Sequence, residues 1–148
     1  MKIKKSAVFS VMLLTVFFAL IPQHANAQQS SNHFVLEHFK RSIEFLIAGD
    51  YVNTILSCNE LIRLDPNSGI NYVLRARALF EMKEFDRVIT DCTHAIRLDR
   101  NNASAYVIRG NAYAMNNDKT KAIADWQAAL RINPNIAEAR ENIEIASQ

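Results

Sequence analysis

The sequence predicts an all-α fold of three stacked helix-turn-helix repeats closed by a capping helix, and three observations predict it. The chain falls on itself when shifted by 34 residues, without a gap. Each repeat holds two helical stretches separated by a short break. Strand signals are absent: no alternating apolar run is flanked by turns, and 148 residues contain only three glycines.

Residues 1–27 are expected to lie outside this fold. Lys2, Lys4 and Lys5 make a basic start, and residues 7–21 form an almost unbroken apolar run. Pro22 then breaks the run ahead of Ala25-Asn26-Ala27, a small-x-small cleavage signature. About fifteen apolar residues is short for a membrane span, which needs roughly twenty. The expectation is therefore a cleaved export signal of bacterial type, with an uncleaved anchor as the alternative. It places the mature chain, from Gln28 on, in the periplasm or outside the cell, with no membrane insertion once the signal is removed. Residues 28–34, polar and poor in helix formers, are expected to be a flexible leader.

Losing the signal alters the charge. The full chain carries 17 Lys and Arg against 15 Asp and Glu, a net +2. Without the three signal lysines the balance is 14 against 15, or −1. No basic excess remains to attract nucleic acid or anionic lipid.

The repeats run over 35–68, 69–102 and 103–136. Numbering columns 1–34 within each, four are identical in all three: Arg41/Arg75/Arg109, Ile55/Ile89/Ile123, Arg63/Arg97/Arg131 and Asn67/Asn101/Asn135. The first helix of each repeat ends near column 14. Gly49 and Asn117 tolerate the left-handed conformation that ends a helix, and Asp50, Glu84 and Asp118 suit the start of the next. The second helix closes on "RLDPN", "RLDRN" or "RINPN", where Pro66 and Pro134 stop two of the three. Residues 137–148 continue as a solvating helix, with Ile143 and Ala146 covering the last repeat and Glu138, Glu141 and Glu144 in water.

An antiparallel pair folded about column 15 sets column 7 level with column 23. That brings Arg75 to Asp91 and Arg109 to Asp125, sixteen residues apart in each case. A pair that recurs with the period is a hairpin clamp, since catalysis has no need of the repetition. In the first repeat the partner column holds Ser57, which leaves Arg41 to reach solvent or a ligand. No catalytic constellation is found. His38 and His94 have no ligand neighbour at usable spacing, and there is neither a phosphate loop nor a Gly-x-Ser-x-Gly elbow. The expectation is a protein with no enzymatic activity, no cofactor and no metal.

The pattern resembles the tetratricopeptide repeat family, whose columns carry an aromatic at 4, small residues at 8 and 20, an aromatic at 24, alanine at 27 and proline at 32. The third repeat supplies Tyr106, Gly110, Ala122, Trp126, Ala129 and Pro134. The second keeps Tyr72, Ala76 and Ala95 but has Val88, Cys92 and Arg100, and the first keeps Pro66 while departing at His38, Ser42, Thr54, Cys58 and Leu61. The resemblance implies an α-α superhelical solenoid that binds protein segments on the concave face lined by its first helices.

In this chain the implied partner-facing residues are Phe39, Ile43, Leu46, Val73, Arg77, Phe80, Val107 and Asn111. A wet strip of Phe39, Ile43, Leu46, Val73 and Phe80 would mark an interaction site for an apolar or amphipathic segment of an envelope or secreted partner, with Arg77 and Asn111 as polar guides. One subtype of the family clamps a peptide carboxylate terminus with Lys and Asn at columns 2, 5, 6 and 9. Here those places hold Phe39, Ile43, Leu74, Ser104 and Ile108, and only Asn111 fits. The alternative is an assembly factor that homo-oligomerises or docks into a larger complex through its apolar first repeat. Cys58 and Cys92 share column 24, so the stack sets an intervening helix between them, with axes about 8–10 Å apart. A disulfide needs Cα atoms within about 7 Å, so the two thiols are expected to be buried packing residues.

Overall fold

The computed structural model describes residues 33–147. The expected signal and the leader up to residue 32 lie outside the described residues. Among the described residues every regular element is a helix: α1 over 33–47, α2 Tyr51–Leu64, α3 Gly69–Glu81, α4 Phe85–Leu98, α5 Ala103–Met115, α6 Lys119–Ile132 and α7 Ala137–Ser147. Residues 33 and 34, assigned from sequence to the leader, are already helical. Starts recur with the period, at 51, 85 and 119 and at 69, 103 and 137. The capping helix α7 therefore begins where the first helix of a fourth repeat would begin.

The break inside each repeat is the same turn three times. The N–H groups of Asp50, Glu84 and Asp118 donate to the carbonyls of Phe45, Leu79 and Tyr113 at 2.9, 3.0 and 2.8 Å. This six-residue closure requires a left-handed residue just before the donor. Gly49, Lys83 and Asn117 occupy it at φ of 75°, 62° and 61°. The sequence exposes two of these three; Lys83 is the residue that composition does not reveal. Asp50 and Asp118 then cap α2 and α6 by accepting from the N–H of Asn53 and Lys121, whereas Glu84 makes no side-chain cap and instead meets Arg87 at 2.6 Å. A carboxylate one methylene longer overshoots the amide that aspartate reaches.

The turn between repeats also recurs. Asp65, Asp99 and Asn133 each accept, through Oδ1, the N–H two residues on, from Asn67, Asn101 and Asn135 at 3.0, 2.9 and 3.0 Å. These Asx turns end α2, α4 and α6 at one register, with or without a proline in the following position. That explains why α4 stops as sharply as its neighbours although Arg100 replaces proline.

Each helix from α2 onward packs on its chain neighbour, and α3 also meets α5. One core cluster joins α3, α4 and α5 around Leu79, Val88, Cys92 and Ile108, and a second joins α5, α6 and α7 around Val107, Trp126 and Ala139. Leu79 and Val88 are essentially fully buried, worth about 1.5–3 kcal/mol each. Ile143 and Ala146 pack against the second cluster, with Glu138, Glu141 and Glu144 exposed.

Candidate functional site

The recurrent arginines tie the scaffold that carries the site. Arg75 grips Asp91 in a fork, Nε to Oδ2 at 2.8 Å and Nη2 to Oδ1 at 2.7 Å. Arg109 grips Asp125 likewise, at 2.7 and 2.8 Å. The third guanidinium nitrogen of each reaches back to the preceding repeat, Arg75 to Asn59 Oδ1 at 2.7 Å and Arg109 to Thr93 Oγ1 at 2.9 Å. One side chain thus fastens a first helix to the second helices on both of its sides. The carboxylate hydrogen bonds hold both guanidinium groups above their ordinary pKa. Arg41 lacks the partner and stays exposed, with no ion pair among the described residues.

The first helices, so fixed, border a groove of about 550 Å³. Its walls are Leu46 at the end of α1, Tyr51 at the start of α2, Arg77, Phe80 and Glu81 of α3, Ser104, Val107, Ile108 and Asn111 of α5, and Asn133, Ile136 and Glu138 around the entry to α7. Of the expected partner-facing residues it brings together Leu46, Arg77, Phe80, Val107 and Asn111. Phe39 and Ile43 lie outside it, half-buried along α1.

Val73 corrects the expected wet strip. It is only 8% exposed, within the core cluster, and Val107 is 6% exposed at the groove floor. Direct packing of α3 on α5 covers a short valine at that column, while the longer Phe39 stays half-exposed. Asn111 needs a second correction. Its Oδ1 accepts from Trp126 Nε1 at 2.9 Å and Asn142 Nδ2 at 3.0 Å, and its Nδ2 donates to Glu138 at 2.8 Å. It is a structural tie between α5, α6 and α7, and only one of its N–H bonds remains for a ligand.

Arg77 is the basic group of the groove that stays available. It is exposed in the groove and makes no hydrogen bond or ion pair among the described residues, even with Glu81 one turn on. Phe80 is half-buried and rests edge-on against Phe85, ring centroids 5.4 Å apart. Tyr51, Asn133 and Ile136 escaped the sequence reading because they project from helix starts and inter-repeat turns, not from the first-helix columns.

The cysteines take no part in the groove. Cys58 and Cys92 are free thiols with no exposed surface, and burial pushes each up to about 12. They stay protonated at neutral pH and are poor nucleophiles. Among the described residues no group of three or more His, Cys, Asp or Glu could hold a metal.

Helix pairs recurring every 34 residues, clamped by a periodic Arg–Asp fork and bordering a groove on their first helices, define a helical-repeat solenoid of the protein-interaction class. Residues 103–136 match the profile described as tetratricopeptide repeat. The first tetratricopeptide domain of human RPAP3 is similar, with a TM-score of 0.76 and 28% identity over 78% of this chain and 91% of that one. So is the first such domain of Spaghetti (RPAP3) bound to the HSP90 peptide SRMEEVD, at 0.75 and 27% over 77% and 90%. The TPR2B domain of yeast Sti1, in complex with pHsp70, gives 0.70 and 25% over 76% and 93%. No curated protein matches the chain. The fold of the chain is that of tetratricopeptide repeat domains.

Proposed function

We propose that this chain is a non-catalytic binding module that holds an apolar or amphipathic segment of an exported or envelope protein in the groove of its first helices. The observation that carries this reading is the groove itself: apolar walls from Leu46, Phe80, Val107 and Ile136 surround one cation, Arg77, that has no internal partner. Similar domains hold peptides, the HSP90 segment SRMEEVD among them. Here the groove chemistry differs from a carboxylate clamp. Ser104 and Ile108 stand in the clamp columns, and Asn111 is engaged in the fold. Apolar anchors provide the affinity in this reading, and Arg77 orients the segment.

Display selection of peptides on the mature chain tests it. Selected segments should share two or more apolar anchors and lose binding at least tenfold to Leu46→Gln or Arg77→Glu, with helicity unchanged. Selection of nothing, or binding indifferent to both substitutions, overturns the reading. The export part rests on the N-terminal sequence; a chain isolated from the envelope of its host should begin at Gln28.

The assembly alternative has one observation in its favour. Val52 and Leu56, one turn apart on α2, are 58% and 56% exposed, an apolar spot for lateral contact. Sedimentation that shows a concentration-independent monomer removes its homo-oligomeric form.

A further inference from the structure

Internal repetition supplies a control for a second pocket, away from the groove. In the second repeat the ring of His94 stacks on Tyr72, centroids 4.2 Å apart, and the Tyr72 hydroxyl donates to the Pro66 carbonyl at 3.0 Å. His94 Nδ1 also lies 3.4 Å from Arg97 Nη2. Every one of these positions has a counterpart 34 residues on: Tyr106, Ala128, Arg100 and Arg131 replace Tyr72, His94, Pro66 and Arg97. The imidazole has become a methyl group. A surface pocket of about 580 Å³ stands in its place, lined by Arg100, Asn101, Tyr106, Ala128, Arg131 and Ile132.

The lining is chemically specific. Arg100 and Arg131 are exposed and make no hydrogen bond or ion pair among the described residues. The Tyr106 hydroxyl likewise makes no hydrogen bond among the described residues. Asp99, on the same turn, has its Oδ1 engaged by the Asn101 N–H at 2.9 Å. An aromatic face, a missing ring and two unpaired guanidinium groups therefore converge on one opening.

We propose that this pocket binds a small planar ring bearing an anionic group, a carboxylate or a phosphate. The ring stacks on Tyr106 where an imidazole sits one repeat earlier, and the acid group lies between Arg100 and Arg131. Offset stacking gives the orientation, and guanidinium forks match carboxylate and phosphate oxygens.

Amide chemical shifts of the mature chain, titrated with benzoate and with phenyl phosphate, test this. Saturable shifts at Asn101, Tyr106 and Ala128 are expected, with a Kd on the order of 1 mM for probes of this size. Benzyl alcohol or inorganic phosphate alone should bind at least about tenfold more weakly, because each supplies half of the recognition. Arg131→Ser should weaken benzoate about tenfold. Ala128→His should rebuild the stack, abolish binding and leave the melting temperature unchanged or raised. If that variant misfolds, the exposed double change Arg100→Ser/Arg131→Ser serves in its place. No saturable shift, equal shifts from inorganic phosphate or benzyl alcohol, or undiminished binding in a folded Ala128→His or in the double variant overturns the proposal.

Discussion

Gly110 and Trp126 show how one residue pair sets the packing of a repeat. A Cβ on Gly110 would stand 2.7 Å from Trp126 Nε1, 2.8 Å from its Cδ1 and 3.2 Å from the Ala122 carbonyl oxygen. The ring cannot swing aside without breaking its bond to Asn111. Where the second helix carries a cysteine at that column, the first helix affords a larger partner: Ala76 opposite Cys92 and Ser42 opposite Cys58, all buried. Large meets small across each hairpin, which is how a core reaches crystal-like density. Gly110→Ala gains about 1 kcal/mol of helix propensity but overpacks the site by about 1–3 kcal/mol. The net outcome should be a lower urea midpoint with an unchanged m-value. The thiols were legible as core from their shared column, because burial at a repeated position leaves a periodic trace.

At the scale of the element, helix ends were legible to within a residue or two and their causes were not. Pro66 and Pro134 appeared to end helices, yet α4 ends at the same register without one, on the Asx turn of Asp99. Lys83 holds a left-handed φ of 62° with no residue type to announce it. A lysine there bears a steric cost of about 1–2 kcal/mol, which glycine avoids at some expense in unfolded-chain entropy. Lys83→Gly should therefore raise stability by about 0.5–1 kcal/mol, seen as a higher denaturation midpoint. No gain would mean that the turn is imposed by the packing around it and not by local strain.

At the largest scale, the described repeats carry charge on the outward faces of both α1 and α7. In α3 and α5 the column of Ala78 and Ala112 is fully buried, and Arg75 and Arg109 reach back across that side to α2 and α4. In α1 the same face carries exposed Lys40, Arg41 and Glu44, with Lys40 and Glu44 paired at 3.8 Å. In α7, Glu144 occupies the column where Ser42, Ala76 and Gly110 receive a second helix. A further repeat of the same kind could stack at neither end without burying a carboxylate, which weighs against end-to-end assembly and leaves the groove as the better reading. Between those ends the Arg–Asp forks carry the coupling. The Asp91 side chain is 7% exposed and that of Arg75 21%. Asp91→Ala should cost about 2–4 kcal/mol by leaving a largely buried guanidinium without its counter-charge. Loss of less than about 0.5 kcal/mol in chemical denaturation, the range of an ordinary surface change, would show the fork to be dispensable.

The sequence by itself determined the repeat, the helix pairs, the clamp pairing and the burial of both thiols. All of these are periodic, and a 34-residue period makes each visible more than once. Only the tertiary structure decided what is not periodic. Val73 is covered because α3 lies directly on α5, and Asn111 is held because Trp126, Glu138 and Asn142 converge on it from two other helices. The groove is completed by Tyr51, Asn133 and Ile136 from helix starts and turns. Contacts between residues 15 to 31 apart in the chain, each made once, leave no mark that a repeat can amplify.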